Sequence, residues 1–132
     1  MIYELDKQDY YKIKDLGLLV SDNFDIGNIS DFEKVLVYSQ NSTIVAFLQY
    51  RKIIDTIDII NIAVLDNFRN NGIGSKLISE LSKFNDVISI MLEVRKSNNV
   101  AIEFYKHNGF MIIREIKDYY NDESAYSMKK EL

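Results

Sequence analysis

Asn61 to Ile78 spell NIAVLDNFRNNGIGSKLI, and the stretch changes character twice. It begins at the end of an apolar, β-branched run, DTIDIINIAV, which reads as a strand finishing near Val64. It ends on Ile73, Leu77 and Ile78, which with Leu81 and Phe84 repeat at helical spacing, so Leu65–Asn71 reads as a loop and Gly72–Phe84 as a helix. Two asparagines and two glycines occupy the junction. A glycine inside a helix costs about 1 kcal/mol relative to alanine, so Gly72 and Gly74 mark a backbone kept bare for a close approach. A helix start offers unpaired N–H groups and the positive end of the helix dipole, and Arg69 adds a charge. Together these describe a pyrophosphate cradle between a strand and a helix. The alternative is a tight turn with close helix packing.

Further along, DVISIMLEV (Asp86–Val94) reads as a strand covered on both faces. The unit from Thr56 to Val94 has the length of a parallel crossover. Ser97 or Asn98 caps a helix running to about His107, with Gly109 in the position of a C′ glycine. FMIIREI and SAYSMKK form a final hairpin. Upstream, KVLVYSQ and STIVAFLQY flank Gln40 and Asn41 as another hairpin. IYEL is a short strand, and Asp6 is expected to cap a helix from Lys7 to Val20 with Tyr10, Ile13, Leu16, Leu19 and Val20 on one face. SDNFDIGNIS is polar and turn-rich. The order β-α-(α)-β-β-β-α-β-α-β-β predicts a mixed α/β sheet in one domain spanning residues 1–132.

The composition narrows the chemistry. With 47% hydrophobic residues, the 132-residue chain can bury one ordinary core. A net charge of −4 argues against a nucleic-acid partner and suits an amine or a basic peptide. The absence of cysteine excludes disulfides, thiol nucleophiles and Cys-based metal sites. His107 is the only histidine, which excludes a two-histidine relay or a His-rich metal site; it is expected at the surface near a helix C-terminus. The start lacks the pattern of a signal peptide and no run approaches a membrane span, so the expected location is cytoplasmic.

Two nucleotide motifs fail at the glycines. A P-loop requires G-x-x-x-x-G-K-[ST], and neither its spacing nor its lysine is present. A dinucleotide fold requires a third glycine where this chain has Leu77. The stretch instead resembles the coenzyme-A-binding motif of the GNAT acetyltransferase superfamily, [Q/R]-x-x-G-x-[G/A] after a strand. Arg69, Asn70, Asn71, Gly72, Ile73 and Gly74 meet every defined position. LEVRKSNNVAIEFYKHNGF resembles the superfamily's second motif at Asn98, Ala101, Tyr105, Gly109 and Phe110. NIAV, LEVR and YYNDESAYSMKKEL look like the bacterial ribosomal-protein alanine N-acetyltransferases, with Tyr119 and Tyr120 at that group's Tyr-Tyr pair. The resemblance runs from Ile59 to Tyr120 and covers the N-terminal third by element order alone. LLVSDNFDIGNIS departs from the group in lacking its aromatic, proline-containing segment.

The resemblance implies the GNAT fold: a mixed, mostly antiparallel sheet whose parallel pair splays at the cofactor site, with helices on both faces. It implies acetyl-coenzyme A as donor, coenzyme A as product and no metal. The pyrophosphate then lies on the backbone N–H groups of Arg69, Asn70, Asn71, Gly72, Ile73, Gly74 and Ser75. The pantetheine arm pairs with Ile62, Ala63 and Val64, whose side chains also suit the core. An N–H near Val64 faces the thioester oxygen in the manner of an oxyanion hole.

Glu93 lies at the carboxyl end of an apolar strand, where a partly desolvated carboxylate has a raised pKa and can act as a base. The matching glutamate is the base proposed for the resembled group; the alternative is an ion pair with Lys96 or Arg114. Asp58 and Asn61 on the preceding strand are further base candidates, and Asn61 joins Glu93 on the acceptor side. Tyr105 is the acid implied by the second motif, or else an ordinary packing tyrosine. A phenol near pKa 10 protonating a thiolate near 8.5 is uphill by roughly 2 kcal/mol. Asn98 contacts the cofactor, caps its helix, or does both. Tyr119 and Tyr120 line an acceptor groove or pack on the sheet.

At pH 7 an α-amine near pKa 8 costs about 1 kcal/mol to deprotonate, and a lysine near 10.4 costs about 4.6 kcal/mol. A single carboxylate base is better matched to the α-amine. The expected activity is direct acetyl transfer to a peptide N-terminus. The alternatives are transfer to a small amine such as a polyamine, aminoglycoside or amino acid, and a non-catalytic acyl-coenzyme-A-binding module.

Overall fold

The computed structural model describes residues Met1–Leu132. Strands β1 (Ile2–Glu4), β2 (Glu33–Gln40), β3 (Thr43–Ile53), β4 (Thr56–Val64), β5 (Ser89–Arg95), β6 (Met111–Ile116) and β7 (Ala125–Glu131) alternate with three α-helices. These are α1 (Lys14–Leu18), α2 (Ile73–Leu81) and α3 (Asn99–His107). The strands form one sheet in the order β1-β2-β3-β4-β5-β7-β6. All neighbours are antiparallel except β4 and β5, which the α2 crossover joins in parallel. The expected mixed sheet and element order are both present.

The parallel pairing is short. It runs through Thr56–Ser89, Ile57–Ile90 and Asp58–Met91 and stops there. At its closed end the Thr56 and Ser89 hydroxyls meet at 3.4 Å, and the Ile88 N–H donates to the Asp55 carbonyl at 2.8 Å. Beyond Asp58, β4 stays paired to β3 up to Val64, and β5 stays paired to β7 up to Arg95. The sheet therefore opens into a wedge between β4 and β5.

The two faces of the sheet bury separate cores. On one face, α2 and α3 place Ile73, Leu77, Ile78, Leu81, Ile102 and Tyr105 against Leu48, Tyr50, Ile57, Ile90 and Leu92. On the other, the N-terminal helical segment packs Tyr10, Ile13 and Leu16 on Val35, Val37, Phe47 and Ala63. That segment differs from the expected continuous helix. Lys7–Ile13 is a 3₁₀ helix and only Lys14–Leu18 is α-helical. Tyr10 and Ile13, three residues apart, share one face of the 3₁₀ helix, and Leu16 continues that face into α1. Leu19 and Val20 lie outside it and are 51% and 43% exposed. Asp6 precedes the segment without a side-chain cap. Gly17 lies under Phe24, whose ring packs on Phe47.

Two further boundaries differ from expectation. Helix α2 ends at Leu81, and Phe84 instead leans on the Tyr50 ring, 6.3 Å between centroids. Strand β5 is covered on one face only, because no helix crosses the side that carries Glu93.

Candidate active site

The junction between β4 and α2 has the conformation a cradle requires. Gly72 is the N-cap of α2 and is left-handed at φ 74°, and nothing lies within 4 Å of where its Cβ would be. Asn70 is also left-handed, at φ 64°. The amide of Asn71 donates to the carbonyls of Phe68 and Arg69, both at 3.3 Å, and folds the loop on itself. The backbone N–H groups of Asn70, Asn71, Gly72, Ile73, Gly74 and Ser75 have no acceptor within the protein. Six consecutive N–H groups without acceptors at a helix start are the donors that a bound anion would need. The two glycines do different work. Gly72 opens the loop, whereas the missing Cβ of Gly74 makes room for Phe104 of α3, whose ring tip lies 2.9 Å from that position. Arg69 ties the cradle to β4, since its Nε donates to the Val64 carbonyl at 3.2 Å while Nη2 pairs with Asp66 at 3.1 Å.

The edge of β4 that faces the wedge is open from Ile59 onward. The Leu65 N–H donates to the Val45 carbonyl at 2.9 Å, so by strand alternation the Val64 N–H points away from β3, into the wedge. Ile62 and Val64 pack their side chains under α2, and Ala63 belongs to the opposite core.

Register places Gln49, Arg51, Asp58, Asn61 and Glu93 on the face away from α2. Phe47, Gln49 and Arg51 alternate onto that face of β3, and they pair with Ala63, Asn61 and Asp58 of β4. The pattern survives because a bulge at Ile60 absorbs one residue. Asp58 pairs with Met91 of β5, so Glu93, two residues on, shares this face. Glu93 forms no ion pair. Lys96 is engaged by Glu115 at 3.0 Å, and Asp58 holds Arg51 at 3.4 Å. Desolvation, and next the Asp58 carboxylate, push the pKa of Glu93 above the usual range; Arg114 and Arg51 oppose the shift. Ser127 lies directly opposite Glu93 on β7, fully buried, with a hydroxyl that has no partner.

Tyr105 approaches from the other face. Its ring is 7% exposed and stands edge-on to Phe104 and Phe110, at 5.3 and 5.6 Å. Its hydroxyl has no hydrogen bond to the protein, and burial pushes its pKa up to about 12. Tyr120 is near enough to raise that pKa further and lies under the Arg95 guanidinium, 4.2 Å from its centre. Tyr119 meets Tyr120 edge-on at 5.0 Å; burial and then Glu93 and Asp58 raise its pKa. These tyrosines therefore border the wedge near Glu93. Asn98 caps α3, its Oδ1 accepting from the Ala101 N–H at 3.1 Å, which leaves its amide NH₂ exposed.

Residues 1–110 match the Acetyltransferase (GNAT) family. The chain belongs to the GNAT family. Among GNAT relatives, an N-alpha-acetyltransferase of Sulfurisphaera tokodaii is 39% identical over 75 residues, which cover 53% of this chain and 45% of that protein. A [ribosomal protein bS18]-alanine N-acetyltransferase of Haemophilus ducreyi is 32% identical over 88 residues, covering 64% and 61%. The matched segments thus span about half to three fifths of these relatives. Among solved structures, Ard1 from Thermoplasma volcanium superposes with a TM-score of 0.88 at 28% identity, covering 100% of this GNAT chain and 97% of that one.

Sequence reasoning missed Glu33 and Gln49, which are bonded to each other, with Gln49 bonded in turn to Asn61. Their one visible signal is Gln49 itself, a polar residue that ends the apolar run IVAFL. Ser127 gave no signal, because its place opposite Glu93 depends on the β5–β7 register.

Proposed function

We propose that this chain transfers an acetyl group from acetyl-coenzyme A directly to the α-amine of a peptide N-terminus. The observation that carries the proposal is a wedge flanked by an unpaired carboxylate, Glu93, on one face and a buried phenol, Tyr105, on the other, next to a cradle of free N–H groups. The left-handed Gly72 and the donors from Asn70 to Ser75 fit a pyrophosphate. When bound, acetyl-coenzyme A supplies an acetyl carbon activated as a thioester. Arg69 orders the loop that holds it, the exposed amide of Asn98 reaches it from α3, and the edge of β4 from Ile62 to Val64 offers main-chain partners to its amide-bearing arm.

On the acceptor face, Glu93 takes a proton from the amine through water, assisted by a pKa above the ordinary carboxylate range. The amine nitrogen bonds to the acetyl carbon, the carbon–sulfur bond breaks, and the thiolate takes a proton from Tyr105. A phenol at about 12 against a thiolate near 8.5 is uphill by about 5 kcal/mol. Tyr105 therefore gives up its proton only as the sulfur charge develops; it then regains a proton from water while Glu93 releases the amine's proton to water, so that one proton in all passes from nitrogen to sulfur. Tyr119 and Tyr120 border the groove that receives the peptide. The residues from Met1 to Leu132 act as one catalytic domain in the cytoplasm, where coenzyme A and nascent N-termini meet.

The test is release of free coenzyme A thiol with peptides bearing a free N-terminus, with N-blocked lysine peptides and with spermidine. Faster turnover of free N-termini supports the proposal. A preference for spermidine transfers the site to small amines, and a preference for lysine ε-amines overturns the α-amine assignment.

A further inference from the structure

The sheet buries one polar side chain whose hydrogen bonds have a fixed direction. Gln49 is 4% exposed in β3. Its Nε2 donates to Glu33 Oε1 at 2.8 Å, and its Oε1 accepts from Asn61 Nδ2 at 2.9 Å. Glu33 Oε1 also accepts the Ser30 N–H, at 3.2 Å. An ionised carboxylate can only accept. Glu33 therefore obliges Gln49 to turn its NH₂ toward β2 and its carbonyl toward β4, and Asn61 must answer with its own NH₂. Two amides whose nitrogen and oxygen ends are otherwise interchangeable are thereby oriented.

The far end of this chain is Asn61 Oδ1, on the side of the amide away from β3, with no partner in the protein. Asn61 lies beyond the last parallel pair, Asp58–Met91, and on the face that carries Asp58 and Glu93. A leucine at position 49 would fill the core without the demand that both ends of a buried amide be satisfied. We propose that Glu33 and Gln49 are positioning residues that hold the Asn61 carbonyl oxygen in the wedge, where it accepts an N–H from the amine substrate. This role rests on the proposed amine acetyltransferase function. It makes the acceptor side selective for groups that donate more than one N–H: one to the water that leads to Glu93 and one to Asn61.

Two measurements test the role. Gln49→Leu frees Asn61 to rotate; the expected result is a KM for the peptide about five- to tenfold higher, with kcat and the KM for acetyl-coenzyme A within about twofold of wild type. The direction of the chain is read from thermal unfolding. Asn61→Asp sets a carboxylate against Gln49 Oε1 and lowers the melting temperature; adding Glu33→Gln lets the central amide turn over and recovers most of that loss, although Glu33→Gln alone gives no gain. An unchanged peptide KM in Gln49→Leu, an equal rise in both KM values, or no recovery in the double variant overturns the role while wild-type activity leaves the proposed function standing. A wild type that binds acetyl-coenzyme A but acetylates no amine overturns both.

Discussion

Glu93 is held where burial and the neighbouring Asp58 carboxylate disfavour its charged form. Its pKa is raised, so the folded state prefers the protonated form. The sign follows from linkage. The stabilising contribution is complete below the pKa of an unfolded glutamate and is lost as pH rises through the higher folded value. At pH 7 the charged carboxylate therefore slightly opposes folding. Glu93→Gln is expected to unfold at an equal or higher temperature than wild type at pH 7, while kcat/KM drops about 10²- to 10³-fold. The acid limb of the wild-type pH–rate profile should lie above the ordinary glutamate range and vanish in the variant. Tyr105→Phe should lower turnover by about 10²- to 10⁴-fold and leave the melting shift produced by coenzyme A unchanged; a lost shift would instead make Tyr105 part of the binding surface. Glu93 and Tyr105 were both legible in the sequence, because each sits in a local run with a recognisable neighbourhood. Asn61 was legible by itself, whereas Glu33 and Gln49 were not. Their bonds cross three strands, and no local pattern encodes the register that joins them.

The elements most clearly announced were those with a strong period and punctuation. Helix α3 begins at its Asn98 cap and is followed by the left-handed Gly109, and the β6–β7 hairpin follows as expected. The N-terminal segment departs from one continuous helix because five apolar residues at helical spacing suggest one element, whereas packing uses three of them, Tyr10 and Ile13 in a 3₁₀ turn and Leu16 in a short α-helix. Position 74 separates two meanings of a glycine that sequence alone merges. Gly74→Ala would drive a methyl against Phe104 and should destabilise the α2–α3 contact by about 1 kcal/mol. Phe104→Leu in the same chain should restore most of it, as read by chemical denaturation. The β3–β4 turn carries the opposite mismatch. Ile54 is β-branched, 84% exposed and left-handed at φ 55°. Ile54→Gly or Ile54→Asn should stabilise the protein by about 1 kcal/mol, since left-handed backbone costs L-residues roughly 1–2 kcal/mol. An unchanged melting temperature in both would remove strain from the account of that turn.

Over the whole molecule, the decisive feature is a sheet in two parts, β1–β4 and β5–β7–β6, fastened by three residue pairs and by α2. A ligand laid in the wedge braces both parts. Acetyl-coenzyme A at 100 times its Kd should add about 2.7 kcal/mol of stability, and ATP or NAD should add none. Hydrogen exchange should slow most at Val64 and across Asn70–Ser75, where the N–H groups now lack acceptors. The mixed sheet was predictable from element order, but the length of the parallel pairing was not. It depends on where two strands diverge, which is set by what packs beneath each of them. The open edge of β4 has one more consequence. Main chain is the same in every sequence, so a partner recognised there is insulated from drift in the side chains around it. The opposite face, built of Asp58, Asn61 and Glu93, presents side chains and has no such insulation. Under the proposed acetyl transfer, one half of the wedge is thus free to be inherited unchanged while the other is rewritten, and a single scaffold could acquire new acceptors without relearning its donor.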